Sequence, residues 1–429
     1  MSRTVRGVLV CLLPVVTGLW VSAIEFGGRL APWRPNMVDL EVYREAARVL
    51  LGGGDFYDLP GRLQFLYPPL AAVLSVPLAL LPTVLVQVGW TVGGVLALLA
   101  VLHRVGLRGW VLSLVGTASL FVEPVRQTLG FGQLGIFLVA LVVLDLVPGP
   151  RVLRHRVLPE GFWTALAACI KLTPALFVVY LLLVRRRRAF VTALVSTVVL
   201  TLAAAAFAPR QSSEFWGRLA HGDTGLGHSI VYFTNQSVLA DVIRSLGLGS
   251  GAALLGLALS TAVAALGTWA AVLWHRRGDA TLAVMLGGIA TLLASPVSWL
   301  HHFVWVVPLA VVLVRDLLPI GAAPRLPEWF GVLGLLFAGW VAVEPFQNLP
   351  NSGDLELTWN PGENLLASGT LLLGVAFLVA SVAVALRRPP AAGSTVVPET
   401  GAPRPRPADV AGAHSAARSA PHPVREARP

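Results

Sequence analysis

Lysine is almost missing from this sequence: of 32 basic residues Lys171 is the single lysine, and the rest are arginines. Charge of either sign is scarce. With 13% charged residues against 55% hydrophobic ones and a mean hydropathy of +0.74, an ordinary soluble domain is excluded and a polytopic membrane protein is expected. Cysteine is scarcer still, and Cys11 and Cys169 both lie within apolar runs. That rules out a disulfide framework and any metal-ligand spacing, so both are expected to pack as small hydrophobes. Neither a Walker A loop nor a Rossmann fingerprint is present, so nucleotide donors are unsupported and no cofactor is expected. The formal net charge of +10 would suit a nucleic acid, but the arginines sit at the ends of apolar runs and in the tail. That is the positive-inside pattern, and no nucleic-acid partner is expected. Nothing points to an obligate protein partner either.

What the chain does have is about ten apolar runs joined by short connections, which implies one all-α integral domain, residues 1–388, of about 10–12 transmembrane or half-inserted helices. The run from Gly7 to Ile24, preceded by Arg3 and Arg6, is long enough to be an uncleaved first span. Residues 26–65 after it are expected to be the first extracytoplasmic loop, which holds Asp39, Glu41, Glu45, Asp55 and Asp58, five of the 22 acids. Leu66 to Leu81, bracketed by Pro68, Pro69 and Pro82, is too short for a crossing and reads as half-inserted. Glu123 to Gln133 reads as a polar, glycine-broken turn. Phe162 to Val184 has basic residues at both ends, Arg151, Arg154 and Arg156 before it and Arg185 to Arg188 after it. It is expected to be a hairpin of two short helices hinged at Lys171-Leu172-Thr173-Pro174. A second external loop, Ala208 to Thr234, carries Glu214, Asp223, His221, His228 and an interfacial patch of Phe215, Trp216 and Leu219. Beyond Arg387 and Arg388, residues 389–429 turn to Pro, Ala, Ser, Thr and Arg, a disordered basic cytoplasmic tail.

Placing every basic cluster in the cytoplasm, with both termini there, leaves Asp39, Arg126, Gln133, Asn235, Gln236, His301 and His302 at the outer face. Around Asp39, Asn36 reads as a helix N-cap, and apolar positions at Leu40, Tyr43, Ala47 and Leu50 set a helical period that puts Asp39 and Tyr43 on one face. The plain alternative is that Asp39 only completes a capping box or complements the helix dipole. Lys171 in apolar surroundings is costly enough to suggest function, the alternative being a lysine that snorkels. His301 and His302 lack the HExxH spacing and, as helical neighbours, point about 100° apart, so one reads as a site residue contacting phosphate or an acceptor hydroxyl and the other as a supporting or packing residue, the alternative being two interfacial residues in a belt with Trp299 and Trp305. Asn235 and Gln236 read as a polar wall, or Asn235 as an N-cap.

Carboxylate for proton removal, cations for a phosphate and amides for sugar hydroxyls are the parts a glycosyl transfer from a polyprenyl phosphate requires. Asp39 is assigned as general base, with Glu41 and Glu45 next in line, and His301 is assigned a catalytic role, a candidate with Lys171 and Arg126 to stabilise the charge on the departing phosphate. Arg126, Lys171 and His302 are assigned to the donor phosphate, and Tyr43, Gln133, Asn235 and Gln236 to sugar and acceptor hydroxyls. No metal is assigned.

At these residues the chain resembles the polyprenyl-phosphate-mannose-dependent α-(1→2)-mannosyltransferases, glycosyltransferase family 87 of the integral-membrane type-C superfamily. The matching stretches are Asp39-Leu-Glu-Val-Tyr43, Tyr67-Pro-Pro69, Pro124-Val-Arg-Gln-Thr-Leu-Gly-Phe-Gly-Gln133, Lys171-Leu-Thr-Pro174, Asn235-Gln-Ser237 and Ser295-Pro-Val-Ser-Trp-Leu-His-His302. They run in the family's order across about Val38 to Val314. The resemblance implies inverting transfer of mannose from a β-linked polyprenyl phosphate to an α-mannoside on a glycolipid or lipoglycan, outside the cytoplasm. It carries the base onto Asp39, a supporting role onto His301 or His302, and phosphate contacts onto Arg126 and Lys171. Leu134 departs from the family, which often has a polar residue after the Gly-Gln pair. Rival expectations are an arabinofuranosyltransferase using the same carrier and a secondary transporter or flippase; a transporter should carry internal repeats, and none is detected.

Overall fold

The computed structural model describes residues 3–25, 37–59, 63–151, 155–221, 230–319, 325–351 and 353–387. Asn36, Arg154, Asp223, His228, Arg388 and the tail lie outside them. Among the described residues there is no strand; an isolated bridge pairs Asn235 with Trp299. Helix α1 (Arg3–Trp20) ends in a π-helical turn at Val21–Glu25. Helix α2 (Val38–Leu51) fills the first polar segment, with Met37 rather than Asn36 at the N-cap position, and stops at Gly52. The half-inserted stretch is two short helices, α3 (Pro69–Leu74) and α4 (Val76–Leu80), hinged at Ser75. Next come α5 (Thr83–Arg104), α6 (Gly109–Ser119), α7 (Glu123–Phe131) and α8 (Gly135–Leu146).

The stretch read as a turn is thus a nine-residue helix, because Pro124 sits in its first turn, where a missing N–H costs nothing, and Gly132 takes the left-handed stop position. The hairpin consists of α9 (Phe162–Ile170), a 3₁₀ turn at Thr173–Ala175 and α10 (Leu176–Leu183), broken at Lys171, which is extended. The rest is α11 (Arg187–Phe207), α12 (Pro209–Ala220), α13 (Val238–Leu246), α14 (Ser250–Arg276), α15 (Ala280–Ala294), a 3₁₀ turn at Leu300–Trp305, α16 (Val306–Leu317), α17 (Glu328–Val343), α18 (Pro361–Ala367) and α19 (Gly369–Arg387).

Among the described residues, α5, α11, α14, α19 and the combined Leu300–Leu317 stretch are long and apolar enough to cross a membrane; α7 and α8, bent by 115°, qualify as one broken span. Shorter apolar helices such as α6, α15 and α17 fill between them. Helix α15 is buried on every face from Thr281 to Leu293, the pattern of a central helix. It lies so close to α14 that a Cβ on Gly267 would sit 2.1 Å from that of Ala290, the small-residue contact by which membrane helices gain packing. Helix α11 instead leaves Val191, Val195, Val198 and Leu202 exposed, a face that suits lipid.

The two ends of the bundle differ in chemistry. At one end Asp145 of α8 accepts from Gly161 N, Thr164 N and Thr164 Oγ1 at 2.8–3.1 Å, tying α8 to α9. Around it lie Arg104, which donates to Leu144 and Val147 carbonyls, and Arg186, paired with Glu160. At the other end of α5, Arg44 of α2 donates to Thr83 Oγ1 and to the Leu78 and Leu81 carbonyls. Its 22 residues span about 33 Å, so α2 and the arginine cluster occupy opposite ends.

Candidate active site

At the α2 end lies a cavity of about 990 Å³. Asp39, Tyr43, Arg126, Gln133, Lys171, His301 and His302 all line it, although they come from five separate elements. Asp39 is half-buried one turn from Tyr43, and both face the cavity. Burial pushes its carboxyl up to about 6, held back by a hydrogen bond from the Gln133 side chain and by the charge of Lys171. Gln133 Oε1 accepts from Tyr43 at 3.0 Å and from Tyr67 at 3.3 Å.

Lys171 reaches the cavity because α9 ends there: its backbone turns extended, and the following turn holds Pro174, which lacks an N–H. Its Nζ lies 2.6 Å from His302 Nε2 and 5.4 Å from the centre of the Tyr67 ring. Both histidines sit on the 3₁₀ turn after Ser295-Pro296, their rings 4.6 Å apart and perpendicular. They differ in partners. His302 Nε2 is taken by Lys171, whereas His301 Nε2 is buried without a protein partner, against Phe131 of α7.

Arg126 lines the cavity but is held bidentately by Glu123, at 2.8 and 2.9 Å. Next to it Gln127 Nε2 donates to both Glu123 Oε1 and Glu344 Oε2 at 2.9 Å, joining α7 to the end of α17. Burial, then the charge of Glu123, lifts the Glu344 carboxyl to about 7, against the pull of Gln127 and Arg126. This face of the cavity is therefore a network of carboxylates and an amide, with the arginine charge already matched.

Asn235 and Gln236 are not among the lining residues; they are 0% and 2% exposed. Asn235 accepts from Ser298 N and donates to Ile230 and Pro296 carbonyls, while Gln236 donates to Phe233 O. The Asn235 amide fastens the loop of the histidines to the start of α13, whereas the Gln236 amide is spent within its own segment and its backbone N donates to Ser298 O at 2.8 Å. The N-cap there is Ser237, which accepts from Ala240 N. Phe215 packs with the aromatics around Tyr57 and lines the cavity with Leu219, leaving Trp216 outside.

Sequence reasoning did not assign Tyr67, Glu123, Gln127 or Glu344 to the site. Tyr67 had a signal, the Pro-Pro pair that holds it at the head of α3. Glu344 had none, since its partner lies 217 positions earlier.

An all-helical, multi-pass membrane enzyme with a large cavity at its α2 end is the class that fold and site define. The chain belongs to glycosyltransferase family 87, whose model matches residues 65–296. It is 32% identical over 386 residues to the polyprenol-phosphate-mannose-dependent alpha-(1-2)-phosphatidylinositol mannoside mannosyltransferase of Mycobacterium tuberculosis strain H37Rv, covering 83% of this chain and 87% of that one. It is 34% identical over 305 residues to a polyprenol-phosphate-mannose-dependent alpha-(1-2)-phosphatidylinositol pentamannoside mannosyltransferase of M. tuberculosis strain CDC 1551, covering 66% and 68%. A solved structure, ArnT from Cupriavidus metallidurans bound to undecaprenyl phosphate, aligns with 89% of this chain and 78% of its own at 16% identity and a TM-score of 0.35, too loose a likeness to carry an argument.

Proposed function

We propose that this chain transfers mannose from polyprenyl-phosphate mannose to a mannosyl residue of a phosphatidylinositol-mannoside type of glycolipid, with inversion, at the face of the membrane away from the cytoplasm. The observation that carries this is the convergence of Asp39, Lys171 and the two histidines on one cavity. The relatives' activity supports the donor and the sugar. Asp39, ionised, takes the proton of the acceptor hydroxyl as its oxygen attacks the anomeric carbon; the bond to phosphate oxygen breaks on the opposite face, so a β-linked donor gives an α-linked product. Lys171, fixed by His302, meets the negative charge that grows on the departing phosphate, and His301 offers a further donor from its unpartnered nitrogen. Arg126, matched by Glu123, is better suited to the acceptor side, where Gln127 and Glu344 can hold hydroxyls. The arginine-rich opposite end suits the cytoplasmic side, which supports the orientation.

The test offers radiolabelled polyprenyl-phosphate mannose to the purified protein with phosphatidylinositol mannosides as acceptors. Label moving to the acceptor supports the reading, and activity only with an arabinose donor overturns it. Asp39→Asn is expected to abolish transfer with expression near normal; retained turnover would move the base to Glu41 or Glu45.

A further inference from the structure

We propose that the Gly132–Gln133 corner is the seat of the catalytic carboxylate, with Gln133 a positioning residue that aims and fixes Asp39 and does not itself hold a sugar. This rests on the reading of Asp39 as base. The backbone comes first. Helix α7 ends at Phe131, Gly132 turns left-handed at φ +71°, and Gln133 N bonds back to Thr128 O at 2.8 Å. A Cβ on Gly132 would lie 2.6 Å from Leu40 Cβ, 2.9 Å from Met37 Cβ and 3.4 Å from Leu40 N. None of those atoms is a flexible tip. The corner thus presses directly on the turn of α2 that carries Asp39, and only glycine allows both the angle and the approach.

The side chain completes the seat. Tyr43 and Tyr67, whose hydroxyls are 3.0 Å apart, both point at Gln133 Oε1, and their rings meet edge to face at 5.2 Å. Burial raises both phenols well above their usual range, so they remain donors. With the carbonyl turned to the two hydroxyls, the NH₂ faces Asp39, whose ionised carboxylate can only accept. Gln133 is 4% exposed and its acceptor is taken twice, which leaves little of it for a sugar. The other groups facing Asp39 are Tyr43 on its own helix, Tyr67, and Lys171 with His302 behind it. Arg44 and Arg48 are held by Glu41 and Glu45, and Arg126 on α7 by Glu123.

The measurement is kcat/KM against pH for the full-length enzyme, Gln133→Leu and Tyr67→Phe, with polyprenyl-phosphate mannose and a phosphatidylinositol mannoside. Loss of a donor to the ionised carboxylate disfavours that form. The acid limb should therefore move up by about one pH unit in Gln133→Leu, and by less in Tyr67→Phe. The KM of both substrates should stay within about twofold. An unmoved limb with a severalfold higher KM for either substrate overturns the seat and returns Gln133 to the sugar. Tyr67→Phe keeps the ring and its packing, so it decides the matter even if Gln133→Leu does not fold. Turnover retained by Asp39→Asn would remove the base and the seat together, whereas an Asp39-dependent enzyme whose limb stays put removes the seat alone.

Discussion

Asp39 works in a conflict of two effects: burial favours its neutral form, and Gln133 and Lys171 favour the charged one. Burial wins, leaving the carboxyl at about 6. Since a base must be ionised, kcat/KM should rise with pH through about 6. Lys171→Met should lift that limb further, by removing a positive neighbour, and lower kcat by about 10²–10³-fold by stripping charge from the leaving phosphate. A pH–rate series on both proteins checks the two effects together. Asn235 is a different kind of residue. Because its amide satisfies Ser298 N and two carbonyls in a buried joint, Asn235→Ala should cost about 1–3 kcal/mol of stability, read as a fall in thermal midpoint in detergent. Its sequence position beside Gln236 and Ser237 left a site wall and an N-cap both open, since an amide facing a ligand and an amide spent on backbone are spelled identically.

At the scale of elements, what could be read from residues was what local physics dictates. The hinge at Lys171 was legible because a charge and Pro174 interrupt an apolar run, and the structure breaks there between α9 and α10. Helix α7 was not legible. Pro124 and Gly132 punctuate its two ends, but with Gly130 between them they suggested a broken turn. Gly132 is a local helix stop, but its tight approach to Met37 and Leu40 exists only in the folded bundle. The carboxylate face was hidden for a similar reason: Glu344 terminates an apolar helix and meets Gln127 only after the bundle has assembled. Residues close in space but far apart in sequence carry no periodic signal.

For the molecule as a whole, the proposed orientation has a direct chemical readout. Cys169 is buried and Cys11 half-buried, so an added surface thiol would stand out against a weak background. Leu51, at the end of α2, and Val157, beside the arginine cluster, are 56% and 73% exposed. A membrane-impermeant maleimide applied to intact cells should label Leu51→Cys and leave Val157→Cys untouched until the cells are opened. The reverse pattern would invert the topology and place the cavity in the cytoplasm.

The size of the cavity decides the order of events. About 990 Å³ is at the upper end of what a single drug-sized ligand fills, and its walls divide between a lysine–histidine side and a carboxylate–amide side. Such a chamber suits two reactants seated simultaneously. Initial-rate plots at several fixed acceptor concentrations should then intersect instead of running parallel, and no mannose should be left attached to the protein when donor is supplied alone.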